Sequence, residues 1–239
     1  MTAVLHSLPP AARVLIVRLR SLGDCVLTTP AIHVLKRARP DLRLAVMVEG
    51  RFAAVFEGNP DIEVTLSPRA GGAMAWRPQL TLNFHGGTRS AVLTAASLAR
   101  YRAGFTHYRF QSIYNVHIPR AQEILGEERK VHTAEHLASA MFWLGAPRVE
   151  VPRALLFAPP AAGHEQCAAL HPFASAPSKA WPIERFAALA RTLKERYGLK
   201  PVILGGPCDD FAPFDGFECL HGAPLAEVKS LLASVALFV

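Results

Sequence analysis

The strongest constraint on the fold is an alternation. Short, unbroken apolar runs are followed repeatedly by segments whose apolar residues recur at helical spacing. Val14-Leu15-Ile16-Val17 is the first run, and Leu27, Ala31, Val34, Leu35 and Ala38 then return at helical intervals until Pro40-Asp41 stops them. A strand with one wet face would alternate apolar and polar residues. Continuous apolar strands are instead covered on both faces, which in an alternating chain means parallel sheets with helices on each side.

The same pattern predicts further strands at 42–48, 62–66 and 80–84, a short helix at 52–57 and a helix at 90–99. The Gly- and Pro-rich stretch 67–78 reads as a loop, and 101–119 as mixed with a short strand at its start. A helix at 133–144 is stopped by Gly145 and Pro147. Pro147, Pro152, Pro159 and Pro160 then crowd together, which places a linker at 151–163 between domains at 1–150 and 164–239. In the second domain, strands are predicted at 167–171, 200–204, 217–220 and 235–239, with helices at 183–197 and 225–233. Functional loops of parallel sheets lie just past the strand ends. The last run, Val235-Ala236-Leu237-Phe238-Val239, has no such loop after it, so the second domain reads as incomplete.

With 51% apolar and 19% charged residues, the 239-residue chain is packed and globular, not disordered. The formal net charge of +7 favours anionic partners, either phosphorylated small molecules or an acidic membrane surface. No tight Lys/Arg block and no interleaving of basic with aromatic residues supports nucleic acid as a partner. Cys25, Cys167, Cys208 and Cys219 form no CxxC pair, which argues against a zinc site and for a reducing compartment. The first ten residues lack a signal-peptide pattern, and no apolar run approaches the roughly 20 residues that span a bilayer. A cytoplasmic protein is expected, with peripheral contact to a membrane.

Four strand-to-helix loops carry candidate chemistry. Arg18-Leu19-Arg20-Ser21-Leu22-Gly23-Asp24 follows the first strand, where Gly23 permits a tight turn and Asp24 sits near a helix start. A carboxylate there is stabilised by free N–H groups, either as a base able to take a proton or only as a cap. Asn83-Phe84-His85-Gly86-Gly87-Thr88-Arg89-Ser90 offers Arg89 for an anionic group and His85, which also reads as a packing residue. Ser175-Ala176-Pro177-Ser178-Lys179 precedes a helix N-terminus and forms a possible anion site. Gly205-Gly206-Pro207-Cys208-Asp209-Asp210 lets a ligand approach the backbone, with Asp209 able to accept from ribose hydroxyls, or is a plain turn. One glycine after the first strand is not the GxGxxG of a dinucleotide site, so Glu49 reads as a surface residue and a Rossmann oxidoreductase is disfavoured. His132 and His136, at i and i+4, read as surface or packing residues. Arg100, Arg102, Arg109 and Arg120 form a basic stretch.

Together these segments resemble glycosyltransferase family 9, the ADP-heptose–lipopolysaccharide heptosyltransferases. Val14 to Asp24 followed by Leu27-Thr28-Thr29-Pro30-Ala31 is the most specific part. Asn59-Pro60-Asp61, the Ser175 to Pro182 loop and Gly205-Gly206-Pro207 are similar too. The resemblance implies a GT-B fold, two Rossmann-like domains facing a cleft. It implies inverting transfer of a heptose from ADP-heptose to the lipopolysaccharide core, an anionic glycolipid, at the inner face of the inner membrane, without metal or cofactor. By this likeness Asp24 is the general base. Ser175, Ser178, Lys179, Gly205, Gly206 and Asp209 take the donor, and Arg20, Gly23, His85 and Arg89 face the acceptor. Two departures stand out. Phe173 replaces the family's phosphate-loop glycine, and the family's Asp-x-Gly-x-x-His loop would follow Val239. The alternative expectation is therefore a catalytically inactive nucleotide- or sugar-binding remnant.

Overall fold

The structure, a computed structural model, describes residues 4–174 and 176–239. The chain divides into two compact units, Met1–Phe157 and Ala158–Val239, each built on its own parallel sheet.

The first sheet has six strands: β1 (Arg13–Val17), β2 (Arg43–Met47), β3 (Val64–Leu66), β4 (Leu80–Asn83), β5 (Tyr101–Phe105) and β6 (Val116–Ile118). Their order is β3-β2-β1-β4-β5-β6 and every pairing is parallel. The connecting helices are α1 (Leu22–Val26), α2 (Thr29–Ala38), α3 (Ala70–Trp76), α4 (Thr88–Ala96), α5 (Ala121–Leu125) and α6 (Thr133–Leu144). Leu15, Val17, Leu19, Ala45 and Met47 pack against Ala73 of α3 and Leu93 of α4. Successive strand residues point to opposite faces, yet Val14 and Ile16 are just as buried, so both faces are covered. Each such aliphatic side chain contributes roughly 1.5–3 kcal/mol by leaving water. That explains why the runs are continuous. The strand order reverses between β1 and β4, and in such sheets the loops leaving the two strands part at their carboxyl ends and open a crevice.

Three segments of this unit differ from the sequence expectation. Residues 70–76 form α3, not a loop, despite Gly71 and Gly72. Ala73 is buried in the core, and the Trp76 indole donates to the Val14 carbonyl at 3.3 Å, so docking on β1 outweighs the glycines' weak helix propensity. The mixed region holds a further strand, β6, which pairs with β5. Its three residues are too short to give a period. Residues 151–157 belong with the first unit: the Leu155 N–H donates to Thr29 Oγ1 at 2.9 Å, and Phe157 packs over Gly58. The division between units thus falls inside the proline-rich segment 151–163.

The second sheet is smaller: β7 (Cys167–Leu170), β8 (Lys200–Gly205), β9 (Glu218–His221) and β10 (Leu237–Phe238), in the parallel order β10-β7-β8-β9. One face, through Ala168, Leu170 and Ile203, meets Phe186, Ala187, Ala190 and Leu193 of α7 (Ile183–Tyr197). The other, through Cys167, Ala169, Val202 and Leu204, meets Leu231 of α8 (Leu225–Leu232). Here the order reverses between β7 and β10, so the loop after β7 leaves the sheet where such folds open a crevice.

Gly104 of β5 tests the packing near the first crevice. A Cβ built there would lie 2.7 Å from the Tyr114 ring. Gly104→Ala is expected to cost about 1–3 kcal/mol through overpacking, seen as a lower urea midpoint. An unchanged midpoint would show that Tyr114 does not pack there.

Candidate functional site

The loop after β1 is short and leads straight into α1, whose third residue is Asp24. Asp24 Oδ2 accepts from the Ser21 backbone N–H at 3.2 Å and from the Ser21 hydroxyl at 3.0 Å. Oδ1 takes no hydrogen bond among the described residues and lies 3.9 Å from Arg18 Nη1. The carboxylate is therefore held by one oxygen and open at the other, with its side chain 43% exposed. Gly23 is not the turn residue expected from sequence: it is helical, and a Cβ added to it meets nothing within 4 Å.

The loop after β4 is organised by Asn83, which is buried. Its amide group donates to Tyr114 Oη at 2.8 Å and Ser90 Oγ at 3.1 Å, while Oδ1 accepts from the N–H groups of His85 and Gly86, both at 3.0 Å. Gly86 then adopts φ +77°, and the Tyr108 ring lies where a Cβ would stand, with ring carbons 2.6–2.9 Å from that position. No other residue suits both conditions. The His85 imidazole reaches the Arg20 backbone, which brings this loop against the one after β1. Burial, with Arg18 and Arg20 close by, pushes His85 below the usual histidine range, so it is neutral at pH 7. Arg89 is exposed and already engaged: Nη1 lies 3.4 Å from Glu49 Oε1, and Nη2 donates to the Pro68 carbonyl at 3.3 Å. Glu49 also pairs with Arg51 at 3.0 Å, so it is an ion-pair centre and not a free surface acid.

Arg18 ends the apolar run of β1 and is only 7% exposed. Its electrostatic neighbours are Tyr108, Asp24 and Cys25, and it acts in turn on His85 and His136. Burial pushes the Tyr108 phenol up and the Cys25 thiol up to about 12, so both stay neutral. Beyond Tyr108 lies a ring cluster in which His136 stacks on Phe105 at 4.1 Å and His107 lies 5.6 Å from the same ring. His132, four residues before His136, accepts from the Ala134 N–H as the cap of α6. The two histidines therefore serve a cap and a core. Among the described residues, no group of three or more His, Cys, Asp or Glu is placed to hold a metal ion. Of the basic stretch, Arg102 is bonded to the Ile113 and Ala99 carbonyls, while Arg100 and Arg109 lie over Tyr101 and Phe110.

In the second unit, Ser178 and Lys179 occupy a single 3-10 turn after β7 and are exposed. The Lys179 N–H closes that turn on the Ala176 carbonyl at 2.9 Å. Ser175 lies outside the described residues. The glycine pair after β8 is built differently from the expectation of open backbone. A Cβ on Gly205 would meet Phe211 at 2.5 Å and Phe173 at 2.6 Å, so aromatic rings fill that face. The Gly206 N–H is used by Asp209 Oδ2 at 2.7 Å, a loop-closing bond. Phe173 packs on Phe211 with ring centroids 4.9 Å apart, which accounts for a large residue at this position.

Arg18, Asn83 and Tyr108 are the residues sequence reasoning passed over as individuals. Only Arg18 left a trace, as a charge directly after a buried run.

Two outcomes are expected. Asn83→Ala strands two N–H groups and two hydroxyls, and at about 1 kcal/mol per net bond should cost about 2–4 kcal/mol in a denaturant titration; a loss under about 1 kcal/mol contradicts the hub. His136 is pushed down to about 4, first by burial, then by His107 and Arg18. The unfolded chain then binds a proton below pH ~6.5 that the folded one refuses until about pH 4. Stability contributed by the neutral ring is present above pH ~6.5 and drains away between ~6.5 and ~4. Screening at a half-exposed ring limits this to about 1–2 kcal/mol. His136→Phe should flatten that part of the pH–stability curve, and an unchanged slope contradicts the assignment.

By sequence, the chain matches no known protein family and no curated protein. By structure, it is similar to a glycosyltransferase family 9 protein from Veillonella parvula, with TM-score 0.80 and 19% identity over 96% of this chain and 74% of that one. The Escherichia coli heptosyltransferase WaaC, solved with ADP-2-deoxy-2-fluoro heptose, gives TM-score 0.72 and 18% identity over 95% and 81%. The Escherichia coli ADP-heptose lipopolysaccharide heptosyltransferase II gives 0.77 and 14% over 95% and 78%. The chain thus has the α/β fold of these heptosyltransferase structures, with one parallel sheet of six strands and one of four.

Proposed function

We propose that this protein is an inverting glycosyltransferase that moves a heptose from ADP-heptose to a lipopolysaccharide-core acceptor without a metal ion. The observation that carries the reading is the half-anchored carboxylate of Asp24 at the strand-order reversal of the first unit, with Oδ2 fixed by Ser21 and Oδ1 unengaged among the described residues. Asp24 Oδ1 takes the proton of an acceptor hydroxyl as that oxygen bonds to the anomeric carbon. The bond from that carbon to the ADP oxygen breaks on the opposite side, so configuration inverts. The electron pair leaves with ADP, whose diphosphate is met by Lys179 and Ser178 before α7. Stabilising charge that develops on the leaving group is where such a site gains most rate. The first unit is the acceptor side, with Arg20, Gly23, His85 and Arg89. The second is the donor side, with Ser175 and Asp209 as further contacts. The net charge of +7 suits an anionic glycolipid and peripheral contact with the inner face of the inner membrane. No described helix is long and apolar enough to cross a membrane.

A second reading, a nucleotide- or sugar-binding remnant without turnover, is favoured by one observation. Phe173 and Phe211 close the Gly205 face against a donor backbone contact. The experiment separates the two. Wild type is assayed with ADP-heptose and lipopolysaccharide core, and ADP binding is measured by calorimetry. Turnover that falls about 10²–10⁴-fold in Asp24→Asn, with ADP affinity unchanged, is the expected result. Lys179→Ala should weaken ADP about tenfold or more, as loss of a charge-assisted contact. ADP binding without transfer supports the remnant. Transfer at the wild-type rate by Asp24→Asn contradicts the base assignment.

A further inference from the structure

The buried arginine beside the carboxylate has no structural employment that accounts for it. A guanidinium carries five N–H donors and stays charged in proteins. Arg18 is 7% exposed, and its Nε is buried with no hydrogen-bond partner among the described residues. Its one carboxylate, Asp24, is 3.9 Å away, beyond the 2.7–2.9 Å of a charge-assisted hydrogen bond, and has given Oδ2 to Ser21. No other neighbour supplies an anion. Tyr108 and Cys25 are held neutral by burial, and His85 and His136 are uncharged at pH 7. Glu49, the next carboxylate, is occupied by Arg51 and Arg89. A charge buried without acceptors is among the costliest arrangements in a protein, unless something else provides them.

We propose that Arg18 is an oxyanion receptor: its open donors take a phosphate or carboxylate group carried by the acceptor, beside the hydroxyl that Asp24 deprotonates. The planar fork of a guanidinium matches either group with two parallel hydrogen bonds, which a lysine ammonium cannot do. Arg20, whose charge reaches His85 in the neighbouring loop, adds to the attraction. Asp24 opposes it, as one carboxylate beside the two guanidinium groups of Arg18 and Arg20. The consequence for the reaction is selection: an acceptor with an oxyanion next to its nucleophilic hydroxyl is held with that hydroxyl at Asp24 Oδ1, and a neutral sugar is not. The identity of the ligand as an acceptor rests on the sugar-transfer reading above; the anion site itself does not.

The test uses the full chain with Lys179→Ala as background, which removes the donor-side cation. Inorganic phosphate and acetate are titrated separately, followed by phosphorus and carbon NMR, against the background and against the same chain with Arg18→Lys or Arg18→Met. The background is expected to bind at least one anion, with affinity intermediate for Arg18→Lys and weakened about tenfold or more for Arg18→Met. The preferred anion tells a phosphorylated acceptor from a carboxylated one. Without any anion, Arg18→Met should melt at or above the temperature of its parent, because an unpaired buried charge has been replaced by an apolar chain. Equal anion binding with Met at position 18, binding of neither anion by the background, or a melting temperature lowered by several degrees in Arg18→Met overturns the proposal. ADP titrated into the Arg18→Met single variant should bind as in wild type. Failure of ADP to bind even the wild type would strike the donor reading and leave the anion result standing.

Discussion

The candidate site exists because the first sheet adds its strands in two directions from β1. Once β4 pairs with β1 on the side opposite β2, the loops leaving β1 and β4 emerge side by side at the carboxyl ends and cannot both follow the same helix layer. The protein fixes that divergence with side chains as well as with the left-handed turn at Gly86. Asn83 folds the loop after β4 back on itself and anchors it to Tyr114 and Ser90, and His85 reaches across to the Arg20 backbone. Asp24 and Arg18 are then presented from a loop with few ways to move.

This arrangement divides labour between the two oxygens of one carboxylate. Ser21, through its N–H and hydroxyl, sets the orientation of Asp24, so the remaining oxygen does not need a substrate to find its direction. Preorganisation of this kind is worth more to a reaction than affinity for the resting substrate. The second unit is organised by aromatic packing instead. Phe173, Phe211 and Phe214 form a ring cluster over Gly205, so the loops after β7 and β8 are braced by rings where glycine was expected to leave open backbone.

Much of the architecture was legible in the residues. Continuous runs such as Val14 to Val17 mark strands covered on both faces. The end of α6 could be read because Gly145 closes it in left-handed conformation. What stayed hidden was decided by contacts distant in sequence. Helix α3 forms through Trp76 docking on β1 in spite of Gly71-Gly72. The hub at Asn83 depends on Tyr114, 31 residues away. Asp24 could be singled out from its place after a strand and before a helix, since that position alone gives a carboxylate a reason to be there. The burial of Arg18 could not, because a charge following an apolar run reads equally well as the exposed end of a strand.

The central claim is a single displacement in which Asp24 takes the acceptor's proton. It fixes the stereochemistry of the product. Proton NMR of the disaccharide linkage formed from ADP-heptose of known anomeric configuration tests this most directly. The account predicts a linkage of the opposite configuration at the transferred heptose. A linkage that keeps the donor's configuration would require a different route and would contradict it.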